Sequence, residues 1–172
     1  MKKRFVFLSL LTVLFAFFAT AQDKSKRPSP PATVNAILKS GATVKIDYSR
    51  PSLKGRTIGK EIEPKDGQIW RTGANEATIF ETDKDIKVEG KTLPAGKYAL
   101  FTLVNGDEWT IIFNKTWKQW GAYDYKQADD ALRVQVKAKK SATTTEQFLI
   151  QINENGVVSL LWGNTDVVFK LQ

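Results

Sequence analysis

One turn of this chain groups four side chains that could bind a ligand around a single glycine. Two of them suit contacts that exclude water, because tryptophan stacks on planar partners and arginine binds anions. The glycine permits a tight bend or a positive φ angle, so the polar side chains on either side of it could converge on one face of the turn. The candidate residues in this segment, 69–80, are Trp70, Arg71, Asn75 and Glu76.

The same turn also has a purely structural interpretation, which the sequence leaves open. In that interpretation Trp70 enters the core, Asn75 bonds the backbone of the turn, and Arg71 pairs with Glu76. The solvent exposure of these side chains distinguishes the two interpretations. Rings and guanidinium groups that line an open cleft favour binding, whereas buried rings and saturated arginines favour structure.

A second group of aromatic side chains lies in a polar loop over residues 114–131. Rings on a loop beside a rigid sheet are a common means of stacking on the face of a sugar. Trp120, Tyr123 and Tyr125 are therefore further candidate ligand-binding residues. The alternative is that the loop folds back and caps one end of a β-sandwich with these rings.

Two more arginines precede the turn, and they lead to two hypotheses of different classes. Arg50 and Arg56 join Arg71 as candidate anion ligands, because a guanidinium group holds a carboxylate, sulfate or phosphate with two parallel hydrogen bonds. The favoured hypothesis is a binding module for a carbohydrate or a small anionic molecule. The alternative is a structural or protein-interaction component of the cell envelope, with these side chains locked in internal pairs. Substitution of Arg71, Asn75 or Trp120 would then cost stability.

The residue types that are absent exclude much catalytic chemistry. The chain has no histidine and no cysteine, which removes serine–histidine triads, thiol nucleophiles and nearly all transition-metal sites. An enzyme would have to use carboxylates, and Glu76 with Asp124 is the pair considered for glycoside hydrolysis, a distant third hypothesis. Glu81, Asp83 and Asp85 alternate but lack the glycine and glutamate of a calcium loop. No cofactor, metal or catalytic residue is therefore predicted.

The N-terminus has the three parts of a secretory signal peptide. Met1–Arg4 is cationic, Phe5–Phe18 is apolar, and Ala19–Ala21 fits the small-x-small cleavage pattern. The apolar run is shorter than the ~20 residues of a spanning helix, so we expect residues 1–21 to be cleaved and no transmembrane segment to remain. The mature protein is expected in the periplasm, outside the cell or on its surface. Without cysteine it can form no disulfide, and it must fold on its core alone.

The charge of the chain argues against one class of partner. The net charge is +8, and removal of the three cations of the signal peptide lowers it to +5. Part of the remainder lies in residues 23–27 and in Lys137, Lys139 and Lys140. Nucleic-acid binding needs a basic patch interleaved with aromatics, so nucleic acid is not an expected partner. The expected partners are a glycan, a small anionic molecule or an envelope protein.

The elements that position these side chains are predicted to be β-strands. Alternating apolar and polar residues, with turns roughly every eight to twelve residues, predict an all-β fold. It would be an antiparallel β-sandwich or flattened barrel of roughly 8–10 short strands. Two long loops, 52–68 and 114–131, interrupt the strands, and a short helix over 125–132 is left open. The predicted strands cover residues 33–38, 42–48, 78–80, 86–88, 91–93, 97–104, 109–114, 132–138, 144–153, 157–162 and 166–171.

Two of these elements and the domain limits are predicted in more detail. The strand 97–104 is apolar on both faces and should be central. Asn105–Gly106 predicts a tight hairpin, because both residue types accept positive φ angles. Residues 22–31 are predicted to form a flexible, charged and proline-rich leader. Residues 32–172 would then form a single domain.

Several motifs occur in a fixed order along the chain. They are Tyr48–Pro51, Trp70–Thr78, Leu93–Tyr98, Glu108–Thr110, Trp120–Tyr125 and Leu161–Gly163. Together they resemble the bacterial family called domain of unknown function 2911, over nearly all of the mature chain. The resemblance implies an exported, single-domain protein of Gram-negative bacteria with no assigned activity. No catalytic residue is therefore carried over from it.

Overall fold

The computed structural model describes residues 23–172, in which strands dominate. The predicted signal peptide, residues 1–21, lies outside the described residues. Residues 23–172 contain ten strands and two single-turn 3-10 helices, and no helix among them is long and apolar enough to cross a bilayer. The strands are β1 (Pro31–Ile37), β2 (Thr43–Ser49), β3 (Ile69–Trp70), β4 (Thr78–Thr82), β5 (Ile86–Val88), β6 (Lys91–Leu93), β7 (Gly96–Asn105), β8 (Glu108–Asn114), β9 (Asp130–Ile152) and β10 (Val157–Lys170); the 3-10 helices are Lys24–Lys26 and Gln127–Asp129.

Eight of the strands form one antiparallel sheet in the order β1-β2-β4-β7-β8-β9-β10, with β3 also paired to β7. The sheet curls into a half-barrel, and β5 and β6 form a second, small sheet. The predicted all-β antiparallel fold is confirmed. The strand β7 is central, as its two apolar faces predict, and the β7–β8 hairpin turns at Gly106 with a φ of 62°.

The last two strands are longer than predicted. β9 is continuous over 23 residues, where the sequence pattern indicates two strands. In its middle, Gly163 and Thr165 of β10 pair with Thr145 and Lys140, so β9 carries extra residues at a bulge. These extra residues, 141–144, are Ser, Ala, Thr and Thr; they are mostly exposed and break the apolar alternation. Pattern alone therefore predicts a loop at a point where the backbone only bends.

The concave face of the sheet holds the main core, which is rich in aromatic rings. Phe148 lies 5.1 Å from Trp70 and 6.0 Å from Trp162, measured between ring centroids, and both pairs meet edge to face. Phe80 and Phe113 form another edge-to-face pair at 4.9 Å. Such pairs add about 0.5–1.5 kcal/mol each to the free energy gained by burial.

The chain leaving β2 attaches to the far half of β9. The backbone N–H of Phe148 donates to the Pro51 carbonyl at 2.9 Å, and Ser52 forms an isolated bridge with Gln147. Because β2 and β9 stand near opposite edges of the sheet, these contacts narrow the opening of the half-barrel. They also anchor the start of the long loop over residues 50–68.

A second, smaller core lies on the outer face of β7 and β8. Phe101 and Ile112 are fully buried there, and Trp117, Ala122 and Tyr125 of the second long loop pack against them. The loop therefore folds back on the sheet, as its structural interpretation expects, but it covers an outer face instead of an end. Its remaining rings are free to face solvent.

The predicted leader contacts the domain. The Arg50 backbone N–H donates to the Pro30 carbonyl at 2.9 Å, and β1 already begins at Pro31. The Asn75 side chain donates to the Ser29 carbonyl at 3.0 Å. The boundary predicted at residue 32 thus lies one residue inside the first strand, while the flexibility of the leader stays a prediction.

Candidate functional site

The turn that carries four of the candidate residues links β3 to β4, and its own hydrogen bonds hold it. The Trp70 indole N–H donates to the Gly73 carbonyl at 3.0 Å, and the Thr78 hydroxyl donates to the Thr72 carbonyl at 2.7 Å. Thr72 and Asn75 have positive φ angles of 52° and 61°, so the backbone winds tightly at both positions. The turn therefore presents its side chains in fixed directions.

Trp70 lies in the core. It is 2% exposed and packs edge to face on Phe148 and on Trp109, at 5.1 and 6.4 Å between ring centroids. This is the position that the structural interpretation expects for this residue. The candidate rings for stacking on a ligand are therefore those of the second long loop.

Arg71 is largely buried and only partly satisfied. Its side chain is 19% exposed, and its Nη2 lies 3.1 Å from Oε2 of Glu63. Its Nη1 donates to the Asn75 carbonyl at 3.3 Å, while its Nε is buried and has no hydrogen-bond partner within residues 23–172. A guanidinium group has five N–H donors, so about three of them are unused. An unpaired buried donor such as this Nε–H costs free energy.

Arg71 lines a cleft of about 180 Å³ between the turn and the loop 50–68. Arg56 and Glu63 line it from the loop, and Ser29 lines it from the N-terminal segment. The cleft thus combines two guanidinium groups with one carboxylate. Its volume equals the share of about six waters in the liquid, which suits a carboxylate, a phosphate or one edge of a sugar.

Two exposed rings stand beside this cleft. Trp120 is 51% exposed and Tyr123 is 80% exposed, on either side of Gly121. The Gly121 N–H donates to the Asn75 carbonyl at 3.1 Å. A methyl group on Gly121 would lie 3.6 Å from Cζ of Arg71 and 3.2 Å from Cε2 of Tyr123. The Arg71 guanidinium and the Tyr123 ring therefore flank the same glycine.

Glu76 belongs to an ion cluster with the N-terminal segment. Arg27 Nη1 contacts both carboxylate oxygens of Glu76, at 3.0 and 2.8 Å, and Lys24 Nζ lies 3.1 Å from one of them. The Arg27 guanidinium also lies 6.0 Å from the centroid of the Trp120 ring. Burial raises the pKa of the Glu76 carboxyl, but hydrogen bonds from its own backbone amide, Lys24 and Arg27 outweigh burial and hold the pKa below its ordinary value.

The lowered pKa of Glu76 argues against one catalytic role for this residue, and the positions of the acidic side chains can be checked for a metal site. A general acid in a glycosidase needs a raised pKa, whereas the pKa of Glu76 is lowered. Glu76 therefore does not suit the acid role in the pair considered with Asp124. Within residues 23–172 no cluster of three or more acidic side chains is placed to hold a metal ion.

The other two candidate arginines bond to backbone carbonyls. Arg50 Nε donates to the Phe148 carbonyl at 3.1 Å and helps to join the chain after β2 to β9. Arg56 donates from Nε to the Leu53 carbonyl at 3.0 Å and from Nη2 to the Ser52 carbonyl at 2.6 Å. Arg56 is nevertheless exposed and lines the cleft, whereas Arg50 is part of the joint between strands.

Tyr125 takes part in a separate polar network. Its hydroxyl donates to Asp130 Oδ2 at 2.8 Å, and the same carboxylate accepts from Asn114 at 2.8 Å and from Arg133 at 3.3 Å. Burial, followed by the hydrogen bond and negative charge of Asp130, raises the pKa of Tyr125 to about 12. The Tyr125 ring packs on Phe101 in the outer core, at 5.2 Å between centroids. This residue anchors the loop.

The structure thus divides the nine candidate residues. Around the cleft and the adjoining loop it brings together Arg56, Arg71, Asn75, Trp120 and Tyr123, with Glu76 on the neighbouring ion cluster. Trp70 also lines the cleft, but from the core, where it is 2% exposed. Arg50 and Tyr125 lie elsewhere.

Three contributors to this region were missed from sequence. Glu63, Arg27 and Ser29 lie in segments without periodicity, and each acts on a residue at least eight positions away along the chain. The one signal for Glu63 was its place in the long loop that also carries Arg56. Spacing alone does not indicate such long-range pairs.

Comparison with known proteins gives one match. A family model described as "Protein of unknown function (DUF2911)" matches residues 29–171, which includes all the candidate residues. No curated protein and no solved structure matches the chain.

Proposed function

Since the chain belongs to the DUF2911 family, whose description assigns no activity, we propose a function from the site itself: the protein is a binding module for a small anionic ligand such as an acidic sugar. Arg71 and Arg56 hold the acidic group in the cleft. Tyr123, on the adjoining loop, stacks on the rest of the ligand. Trp120 extends the same exposed aromatic surface.

The observation that carries this proposal is the unsatisfied guanidinium group of Arg71. It lines an open cleft with about three of its five N–H donors unused, and its one ionic partner, Glu63, is itself 40% exposed. A partly exposed carboxylate is readily displaced by a ligand carboxylate, because exposed ion pairs contribute little free energy. A ligand carboxylate can therefore replace Glu63 as the ionic partner of Arg71.

Export is part of the proposal. It is supported by the predicted signal peptide over residues 1–21. N-terminal sequencing of the protein from a periplasmic or culture-medium fraction should begin at Gln22. An intact Met1 in the mature, soluble protein would remove this part of the proposal.

The test is a thermal-melt screen of the purified protein against glucuronate, galacturonate, glucose, sulfate and phosphate. A ligand at 100 times its Kd adds about 2.7 kcal/mol to the free energy of unfolding, which corresponds to roughly 5–10 °C in Tm at this size. We expect a shift with the uronates and none with glucose. Arg71→Gln should abolish the shift.

Two further variants separate binding from folding. Tyr123→Ala removes a ring that is 80% exposed, so it should leave the ligand-free Tm unchanged and weaken binding. Lys118→Gln removes a positive charge from an exposed position of the same loop and should leave both unchanged. If no anion shifts the Tm of the unsubstituted protein, the proposal is wrong.

The second candidate function, a structural or protein-interaction component of the envelope, is favoured by a different observation. Arg50, Asn75 and Tyr125 all have internal partners, and Trp70 is buried. Under this candidate Arg71→Gln lowers the Tm without any ligand effect. The same screen therefore distinguishes the two.

A further inference from the structure

A second cleft lies on the other side of the long loop 50–68. Glu63 lines the first cleft and Pro64 lines the second, so the loop is the wall between them. The second cleft has a volume of about 370 Å³, which falls within the range of small-molecule sites. It therefore has room for a larger ligand than the cleft beside Arg71.

The interior of this second cleft is mainly apolar. Ile58 and Pro64 contribute from the loop, Val104 and Trp109 from the β7–β8 hairpin, and Ala138 from β9. These side chains offer hydrocarbon surface to whatever enters. Burial of a ligand's apolar part against them is favourable in proportion to the area removed from water.

One polar group inside the cleft has no partner. Trp109 is 5% exposed, and its indole N–H makes no hydrogen bond within residues 23–172 and is not sealed from solvent. The two other buried indoles of this range both donate, Trp70 to the Gly73 carbonyl and Trp162 to the Glu63 carbonyl. Buried indole N–H groups usually find an acceptor. Trp109 thus offers a hydrogen bond to an acceptor on a ligand.

The rim of the cleft carries positive charge on the β9 side. Lys139 and Lys140 line it, and neither forms an ion pair in the described part of the chain. On the hairpin side stand two acids. Asp66 already accepts from the Gly106 N–H at 2.7 Å, while the Asp107 side chain makes no hydrogen bond to any residue that the structure describes. The side of the rim with free cations is therefore the one that suits an anionic group.

We propose that this second cleft binds an aliphatic carboxylate, with the hydrocarbon part against Ile58, Val104 and Trp109 and the carboxylate at Lys139 and Lys140. The carboxylate also accepts from the Trp109 indole N–H. This site is independent of the cleft beside Arg71. Either can fail without the other, because they share no charged residue.

The test measures binding of decanoate to the purified protein by isothermal titration calorimetry, below the concentration at which decanoate forms micelles. Decanol has the same chain without the charge, and acetate has the charge without the chain. We expect decanoate to bind about tenfold or more tightly than either. Equal binding of decanol and decanoate, or no binding of decanoate, would overturn the proposal.

Substitutions of lysines on the rim of the cleft provide a second test. The double substitution Lys139→Gln and Lys140→Gln should weaken decanoate binding about tenfold, because it removes both cations. Lys137→Gln is the matched control, since Lys137 is an exposed lysine of the same strand that does not line the cleft. Equal losses in the two variants would show a general charge effect and contradict the proposal.

Two further substitutions test the effect of the negative charge on the opposite rim and the role of the Trp109 N–H. Asp107→Asn removes a negative charge from the opposite rim and should strengthen decanoate binding. Trp109→Phe keeps a ring but removes the N–H, and should weaken decanoate more than decanol. If Trp109→Phe does not fold, the variants of the exposed lysines and Asp107→Asn still test whether the second cleft binds decanoate as proposed. Weaker binding after Asp107→Asn would contradict the proposal.

Discussion

At the scale of single residues, the two tryptophans of the candidate motifs have opposite environments. Trp70 is 2% exposed and donates its N–H to Gly73, whereas Trp120 is 51% exposed and faces Arg27. A residue type that is equally suited to stacking and to packing takes its role from its position. Trp70 supports the turn, whereas about half of the Trp120 side chain faces solvent.

Substitution of these two residues by alanine should therefore have very different effects. Trp70→Ala leaves a cavity among Phe148 and Trp109 and should lower the free energy of unfolding by about 3–5 kcal/mol. Trp120→Ala should lower it by less than about 1 kcal/mol, since it loses only a half-exposed ring and one cation–π contact. Urea unfolding followed by circular dichroism measures both. Similar losses would contradict this division of roles.

At the scale of elements, the second long loop is fixed at its end by one carboxylate. The Asp130 side chain is 6% exposed and accepts hydrogen bonds from Asn114, Tyr125 and Arg133. Asn114 ends β8 and Asp130 starts β9, so the network joins the two ends of the loop. The exposed rings of the loop are held in place by this joint.

Removal of that carboxylate should loosen the whole loop. Asp130→Ala removes one of the two acceptors of the buried Asn114 amide and the only ionic partner that Arg133 has within residues 23–172, and it should cost about 2–4 kcal/mol of stability. The pKa of Tyr125, raised to about 12 in the intact protein, should fall towards its ordinary value of 10.0, as ultraviolet titration would show. Asp129→Ala is the control, because among residues 23–172 its carboxylate accepts only from the Thr116 hydroxyl. Equal protection of the loop from proteolysis in all three proteins would contradict this account.

Much of the fold follows from sequence, and less of the site does. The continuous apolar run within 97–104 identifies the central strand, because only a strand buried on both faces is apolar on both faces. The partners of Arg71 and Glu76 are not local: Arg71 pairs with Glu63 and Glu76 with Arg27, instead of with each other. Both partners lie in segments without periodicity, so only the folded chain brings them together. The burial of Trp70, by contrast, agrees with the structural interpretation that the sequence had left open.

At the scale of the whole molecule, the N-terminal segment 23–30 crosses the domain next to the candidate site. Lys24 and Arg27 hold Glu76, and Ser29 accepts from Asn75. Since Ser29 also lines the cleft beside Arg71, the segment is one wall of the site. Release of the segment would open the cleft.

Acid should release this segment. The pKa of Glu76 in the folded protein is below its ordinary value of 4.5, so the stabilisation from its ion pairs is complete above that value and is lost as the pH falls below it. The indole N–H resonance of Trp120, assigned with Trp120→Phe, should therefore shift as the pH falls below 4.5. Glu76→Gln should remove this transition. A transition that persists unchanged in Glu76→Gln would assign it to another acid.

The bridge between Ser52 and Gln147 has a kinetic consequence. The two residues are 95 positions apart in the chain, so this contact forms only after a very long loop has closed. High contact order slows folding, and we expect refolding over milliseconds to seconds. Gln147→Ala removes the hydrogen bond that the Gln147 side chain donates to the Ser52 hydroxyl at 3.3 Å. If this contact forms after the rate-limiting step, the substitution should mainly speed unfolding and leave the refolding rate nearly unchanged. The wall between the two clefts would then be the last part of the molecule to assemble.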